Sequence, residues 1–361
     1  MEILNEFFFI IFFTIISTFV LLFFFKKITS FKYFESLKVQ DEFFKSTSKF
    51  SAITGSGIIF LIVFLIFFLI IYLDDRLIFK TFVNLPNKYI FFFISLIFLT
   101  VLSLIDDKKK IDPIFRLLSH IIFIYSSLTC LELGKIQIPL KILFLITVVV
   151  WVYILNITNF LDGSDGLLSI NAISFYVSYL ILDSFVNLKL FSDVFPYILI
   201  PILLVFLLFN FPRKTKILPM YFMGDVGSIF LGFLIGFSIL ELATTKYWYF
   251  GFIFFSYPIV DCTITLTKKV LRGNMPWKRL GDYFFLNPKQ KNFYYDRCIV
   301  SKIIAYMTLF YCIFLNIIIF FSFYFNQLMY LFLIIFLIFI KLSLFKNKNY
   351  FLAFARLLRL I

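Results

Sequence analysis

Residues 53–73 read ITGSGIIFLIVFLIFFLIIYL, with no charged side chain among them. A half-buried strand would alternate polar and apolar residues, and a barrel strand would end after about ten. An apolar run of this length instead matches the roughly 20 residues that carry a helix across hydrocarbon about 30 Å thick. Similar runs continue in both directions. They lie at 3–25, then at about 89–105, 114–133, 139–157, 166–183, 195–211, 227–244, 247–265, 303–323 and 327–345. The first is preceded and opened by Glu2 and Glu6, is too long for a signal-peptide core and lacks a small-residue cleavage site, so it reads as an uncleaved span. The expected fold class is an all-α polytopic membrane protein of about 11 transmembrane helices. Residues 1–361 form one integral domain, with a basic loop at about 266–302.

Composition excludes the alternatives. The chain is 62% hydrophobic and only 15% charged, and Phe alone supplies 58 of 361 residues. A soluble domain has about a quarter charged residues, so a single water-exposed core is ruled out. Cys130, Cys262, Cys298 and Cys312 show no C-x-x-C pairing, and His120 is the one histidine, so neither a zinc framework nor a multi-histidine metal site is available. The segments 26–52, 106–116, 212–226, 266–302 and the C-terminal tail, with Lys341, hold 27 of the 34 Lys and Arg; the opposite loops hold 7. The positive-inside rule then puts the first set in the cytoplasm, the N-terminus outside and the C-terminus inside. The net charge of +14 is met by anionic headgroups and calls for no nucleic-acid partner.

A charge inside such a chain is costly, so the positions of the aspartates carry information. Asp106-Asp107, Asp162-Gly-Ser-Asp165-Gly and Gly224-Asp225 all fall at the expected cytoplasmic ends of spans. Five carboxylates on one membrane face suit a hard divalent cation, which takes one or two carboxylates plus phosphate oxygens. Plainer readings exist. Asp106-Asp107 precedes three lysines and fits a solvated patch; Asp162 and Asp165 fit the N-cap and N3 positions of the next helix; Asp225 fits a cap of its own helix.

The neighbours of these aspartates go further. Asn156-Ile-Thr-Asn-Phe-Leu-Asp-Gly-Ser-Asp-Gly166 resembles the N-x-x-N-x-x-D-G-x-D-G signature of the polyprenyl-phosphate N-acetylhexosamine-1-phosphate transferases. Phe222-Met-Gly-Asp-Val-Gly-Ser228 resembles their F-M-G-D-x-G-S. Asp106-Asp107 with Arg116 resembles their D-D-x(n)-R element, and Pro258-Ile-Val-Asp261 with Lys268, Lys269 and Arg272 resembles the entry to their last large cytoplasmic loop. Eleven spans with an external N-terminus resemble the O-antigen and common-antigen initiating group. The chain departs from the family in three places, one of them about five extra residues between Asn210 and Phe222. Lys278-Arg-Leu-Gly-Asp-Tyr283 contains no histidine where relatives carry several, and Ser51-Ala-Ile-Thr-Gly-Ser-Gly57 stands where they have a T-P-x-x-G-G segment. His120 reads as a packed helix residue rather than a replacement.

The resemblance implies a UDP-N-acetylhexosamine donor, a polyprenyl (undecaprenyl) phosphate acceptor, UMP as leaving product, and a multi-pass enzyme of the inner (plasma) membrane with its site facing the cytoplasm. A homodimer is compatible with it. It implies Mg²⁺, with Mn²⁺ as a substitute, and roles follow by matching motif positions. Asp225 and Asp107 are the expected metal ligands. Asp106, Asp107, Asp162 and Asp165 are the expected catalytic carboxylates, with Asp106 set to orient or deprotonate the lipid phosphate. Asn156, Asn159, Asn210, Phe222, Lys49, Lys268, Arg272 and Lys278 are the expected substrate contacts. An inactive scaffold is the alternative that the missing histidines suggest. A transporter would place its carboxylates near the midplane within an internal repeat, and no repeat is seen.

Overall fold

The structure, a computed structural model, describes residues 2–29, 38–39, 52–73, 89–135, 139–211, 220–275, 283–294, 297–324 and 327–361. Backbone polar groups in hydrocarbon need partners within their own segment, and the apolar runs accordingly become helices. In chain order these are α1 (Glu2–Ile28), α2 (Ile58–Leu73), α3 (Ile90–Lys108), α4 (Pro113–Ser127), α5 (Leu140–Leu161), α6 (Leu167–Val186) and α7 (Phe195–Asn210). Then come α8 (Gly224–Ala243), α9 (Trp248–Phe254), α10 (Ser256–Leu271), α11 (Asn287–Gln290), α12 (Arg297–Ser322), α13 (Gln327–Lys346) and α14 (Lys348–Leu357). Among the described residues eight helices are long and apolar enough to cross a membrane, and two bent pairs raise the number to 10. The shorter apolar α2, 16 residues without a charge, completes the set, so every expected span holds a helix. A small antiparallel pair, β1 (Lys38–Val39) with β2 (Ala52–Ile53), precedes α2.

Two expected segments differ from straight spans. The stretch 247–265 is broken: α9 and α10 meet at 74°. Pro258 in the first turn of α10 has no N–H for the carbonyl of Phe254, and its ring occupies the space that carbonyl would need. The last span does not end in an irregular tail. After a 102° turn, α14 begins at Asn347, whose side chain accepts a hydrogen bond from the Asn349 N–H (2.9 Å). Phe351 and Ala355 form the inward face of α14, four residues apart, while Lys348 and Arg356 point outward.

α8 is the axis of the bundle, buried along almost its whole length, whereas α1 lies outside and turns most of its side chains outward. α5 and α3 pack along α8. The Trp151 indole donates to the Phe233 carbonyl (3.0 Å), and a Cβ at Gly232 would overlap Thr158 Oγ1 and press on the α5 backbone. Small residues at such a crossing let backbones approach, which is how helices gain contact energy where lipid offers no hydrophobic drive. Phe92 of α3 lies against Phe233 and Phe237, with ring centroids 5.2 and 4.7 Å apart. These contacts bring the end of α3, the end of α5 and the start of α8 to one pole.

At the other pole the same helices are pinned by acids that the sequence reading did not single out. Glu241, near the end of α8, accepts from the N–H groups of Phe191 (3.1 Å) and Ser192 (2.9 Å). Asp193 accepts from the Tyr179 hydroxyl (2.7 Å) and the Leu190 N–H (2.6 Å). Both are buried carboxylates satisfied by backbone and hydroxyl donors, and they tie the turn before α7 to α8 and α6.

Candidate functional site

The start of α8 organises the aspartates. Its first N–H groups have no partner inside the helix and carry partial positive charge. Asp107, in the last turn of α3, accepts from the N–H of Asp225 (3.1 Å) and of Val226 (3.4 Å). Asp162, directly after α5, lies beside the Gly224 N–H, which favours its charged form. Asp107, a carboxylate from another helix, therefore caps α8, with Asp162 next to it. Asp225 is not the cap of its own helix: the N-cap is Met223, and Asp225 stands in the first turn. Nor do Asp162 and Asp165 cap α6: Asp162 is the C-cap of α5, and the N-cap of α6 is Gly166.

Arg116, in the first turn of α4, ties the remaining carboxylates together. Its Nη1 lies 2.8 Å from Asp106 Oδ2 and 3.2 Å from Asp225 Oδ2. Asp106 Oδ1 accepts from the Ile111 N–H (2.6 Å), which folds the turn between α3 and α4 so that Arg116 faces inward. The patch reading of Asp106-Asp107 thus gives way to two half-buried or buried acids with distinct partners. Burial raises the affinity of Asp162 for its proton, and the charges of Asp225, Asp107 and Asp165 raise it further, against the Gly224 N–H.

That shift has a sign. A carboxyl that binds its proton more tightly when folded loses stability as pH rises from the ordinary carboxylate range through its raised value. Asp162→Asn keeps an acceptor for Gly224 and removes the repulsion. It is expected to raise the melting temperature on the order of 2 °C at neutral pH without divalent ions, and to flatten the pH dependence of unfolding. A lower melting temperature at neutral pH would show that the charge of Asp162 stabilises the cluster instead.

The segment 52–57, preceding α2, completes the mouth. Ile53 N donates to Met220 O (3.1 Å), Phe222 N to Ile53 O (2.8 Å), and Gly57 N to Met223 O (3.1 Å). The Ser56 hydroxyl donates to Phe222 O (2.9 Å). Gly224 has φ +75°, and a Cβ there would overlap Asp107 Oδ2 and meet Gly55 N at 2.8 Å. The sequence at 51–57 departs from the family pattern, yet its glycines serve this docking.

The other expected residues separate. Asn210 is buried and uses both ends of its amide on backbone: Oδ1 accepts from Gly166 N (2.7 Å) and Nδ2 donates to Tyr221 O (2.8 Å). It joins the two signature loops. Asn156 Nδ2 donates to Val152 O (2.7 Å) one turn back in α5, and Asn159 stands half-buried one turn before Asp162. Asp165 lies in the turn after Asp162, within reach of its charge. Phe222 is half-buried, its backbone held by the 52–57 segment. Lys268 places its ammonium 4.6 Å from the centroid of the Phe284 ring, and Arg272 is exposed at the end of α10. Lys49 and Lys278 lie outside the described residues. His120 is buried in α4, one turn beyond Arg116.

The donor set is hard oxygen throughout, and the crowding of Asp107, Asp162, Asp165 and Asp225 is what a cation would relieve. Among the described residues no three His, Cys, Asp or Glu side chains form a ready metal cage. A divalent ion that keeps water and takes substrate oxygens needs only one or two carboxylates, so the residues fit that mode. Asp107 gives both oxygens to α8, so Asp225 and Asp162 would be freer than Asp107 to hold such an ion.

No curated protein matches the chain. Residues 89–243, which contain Asp106, Asp107, Arg116, Asp162, Asp165, Asn210 and Asp225, match the family model for glycosyl transferase family 4. Over that stretch the chain is similar to the family, and the match supports the resemblance to the polyprenyl-phosphate sugar-phosphate transferases.

Proposed function

We propose that the protein transfers N-acetylhexosamine-1-phosphate from a UDP-sugar to undecaprenyl phosphate at the cytoplasmic face of the inner membrane, starting a lipid-linked envelope glycan. The observation that supports it best is the meeting of three motif segments at the start of α8, with Arg116 between Asp106 and Asp225. An oxygen of the lipid phosphate attacks the sugar-bearing phosphorus, the bond to UMP breaks, and one phosphoanhydride replaces another. Such a reaction is driven by positioning and charge neutralisation. Asp106 holds Arg116 where negative charge gathers on phosphoryl oxygens. Asp107 and Asn210 fix the backbone of the two signature loops. A divalent cation held by Asp225 and Asp162 would neutralise phosphate charge. The carboxylates sit at helix ends rather than mid-helix, which fits interfacial chemistry better than a transport path.

The test is incubation of purified protein with Mg²⁺, undecaprenyl phosphate and a panel of UDP-sugars, with mass analysis of the lipid. One UDP-N-acetylhexosamine is expected to give a sugar diphospholipid and UMP. No product from any donor, together with no UMP–UDP-sugar exchange, would leave the inactive scaffold as the reading. Asp225→Asn is expected to fold and to lose about 10²-fold in turnover, roughly 2.7 kcal/mol of barrier; near-normal turnover would remove Asp225 from the site. Orientation is tested in a cysteine-free background. Gln290→Cys should resist an impermeant thiol reagent in intact cells, while Lys246→Cys should react; the reverse pattern would invert the topology.

A further inference from the structure

Lys341 of α13 is a lysine inside an apolar bundle, 2% exposed, and its Nζ has no hydrogen-bond partner. It sits 3.6 Å from the centroid of the Tyr257 ring and 4.4 Å from that of Tyr311. Both rings are buried, and the Tyr311 hydroxyl lies 3.1 Å from Ser256 Oγ at the start of α10. An ammonium held this way is stabilised by ring quadrupoles rather than by water. Charged residues within spans are costly and are retained where they act.

What Tyr257 does with its other end gives the lysine a task. Its hydroxyl donates to Asp261 Oδ2 (2.9 Å), one turn along α10. Asp261 is 1% exposed and accepts from the N–H groups of Phe284 (3.0 Å) and Phe285 (3.3 Å), which open the turn before α11. The charge of Lys341 reaches Asp261 as well. The segment that Asp261 holds lies on the signature turn after α5. The Tyr283 and Phe160 rings are 5.3 Å apart, and a Cβ on Gly163 would stand 3.8 Å from Leu286 Cδ1. Gly163 follows Asp162.

We infer that Lys341 and Asp261 are positioning residues for sugar-phosphate transfer: Asp261 directly, and Lys341 through Tyr257, fasten residues 283–286 onto the Phe160–Gly163 turn and so fix Asp162 at the start of α8. Neither residue touches the reacting atoms. Five side chains on three helices are used to place one carboxylate.

The inference rests on the transferase reading only for its kinetic readout; hydrogen exchange tests it separately. Full-length protein in lipid nanodiscs is compared as wild type, Lys341→Met, Lys341→Arg and Tyr257→Phe. Lys341→Met fills the same space without charge. It is expected to speed amide exchange at Phe284–Leu286 and Phe160–Gly166 by about tenfold or more, while the middle of α8 stays at wild-type rates. Its kcat should fall by about tenfold with the KM for polyprenyl phosphate unchanged, as a displaced group costs turnover rather than acceptor binding. Lys341→Arg, which keeps a cation over the rings, should restore both. Should Lys341→Met fail to insert, Tyr257→Phe decides: it keeps the ring and removes only the hydroxyl, and the same two peptides should exchange faster. Wild-type exchange at those peptides in Tyr257→Phe and Lys341→Met overturns the inference. So does a uniform rise that includes α8, which would mean ordinary support of the fold. If wild type transfers no sugar, the proposed function fails while the exchange comparison still stands.

Discussion

Arg116→Ala is expected to lower sugar-phosphate transfer by about 10²- to 10³-fold, the cost typical of removing a charged group that stabilises a developing oxyanion. One guanidinium nitrogen lies within 3.2 Å of carboxylates from α3 and α8, at a mouth where further aspartates from the turn after α5 already repel one another. Without it, Asp106 and Asp225 lose their shared counter-charge, and Asp106 is nearly buried. Leaving one member of such a pair uncompensated costs more than the pair contributes, so stability should fall by roughly 2–3 kcal/mol as well. Arg116→Lys retains a charge but gives up the planar fork, and should recover part of the turnover and most of the stability. Turnover with the matched UDP-sugar and thermal unfolding in the same detergent measure both effects. A folded Arg116→Ala protein with near-wild-type turnover would move the cation requirement elsewhere.

Gly57→Ala is expected to be strongly destabilising. A Cβ on Gly57 would overlap both the Cα and the N of Gly227, backbone atoms of α8 that cannot rotate away. Relief requires separating the 52–57 segment from the start of α8, and the hydrogen bonds between Gly57 and Met223 and between Ser56 and Phe222 would break with it. Overpacking of this kind costs typically 1–3 kcal/mol, and with the lost bonds a loss of about 3 kcal/mol or more is expected. The readout is the melting temperature of monodisperse protein after extraction. Gly134→Ala, where a Cβ would meet nothing within 4 Å, is the control and should behave as wild type. Equal melting temperatures for the two variants would mean that the 52–57 segment does not seat on α8.

The spans were legible because hydrocarbon leaves the backbone few choices, and long uncharged runs such as 58–73 state their structure by composition alone. The shared pole of Asp106, Asp162 and Asp225 was legible from where those residues fall relative to the runs. What each carboxylate does was not. A sequence shows Asp107 next to Asp106, but only the packing of α3 on α8 shows that Asp107 caps a helix 118 residues away while its neighbour grips Arg116. Asn210 was expected as a substrate contact, and that its amide also joins Gly166 to Tyr221 is something no local pattern reveals. Some signals were present and unused. Pro258 marks the break between α9 and α10, and the paired glycines at 55, 57, 224 and 227 mark two backbones in contact. Lys341 was counted as a loop-side charge although it lies within an apolar run, which is itself a reason to look for its partners.

The capping of α8 by its own protein's Asp107 has a thermodynamic corollary. An open helix N-terminus attracts phosphate without help. Here Asp107 already occupies two of those N–H groups and Asp162 stands beside them, so an approaching pyrophosphate meets a negative field. Nucleotide uptake should therefore be linked to cation uptake. Apparent affinity for the donor should climb with divalent ion concentration, and by reciprocity the donor should tighten cation binding by the same factor. Calorimetric titrations run in both orders, at fixed ionic strength, read that coupling directly.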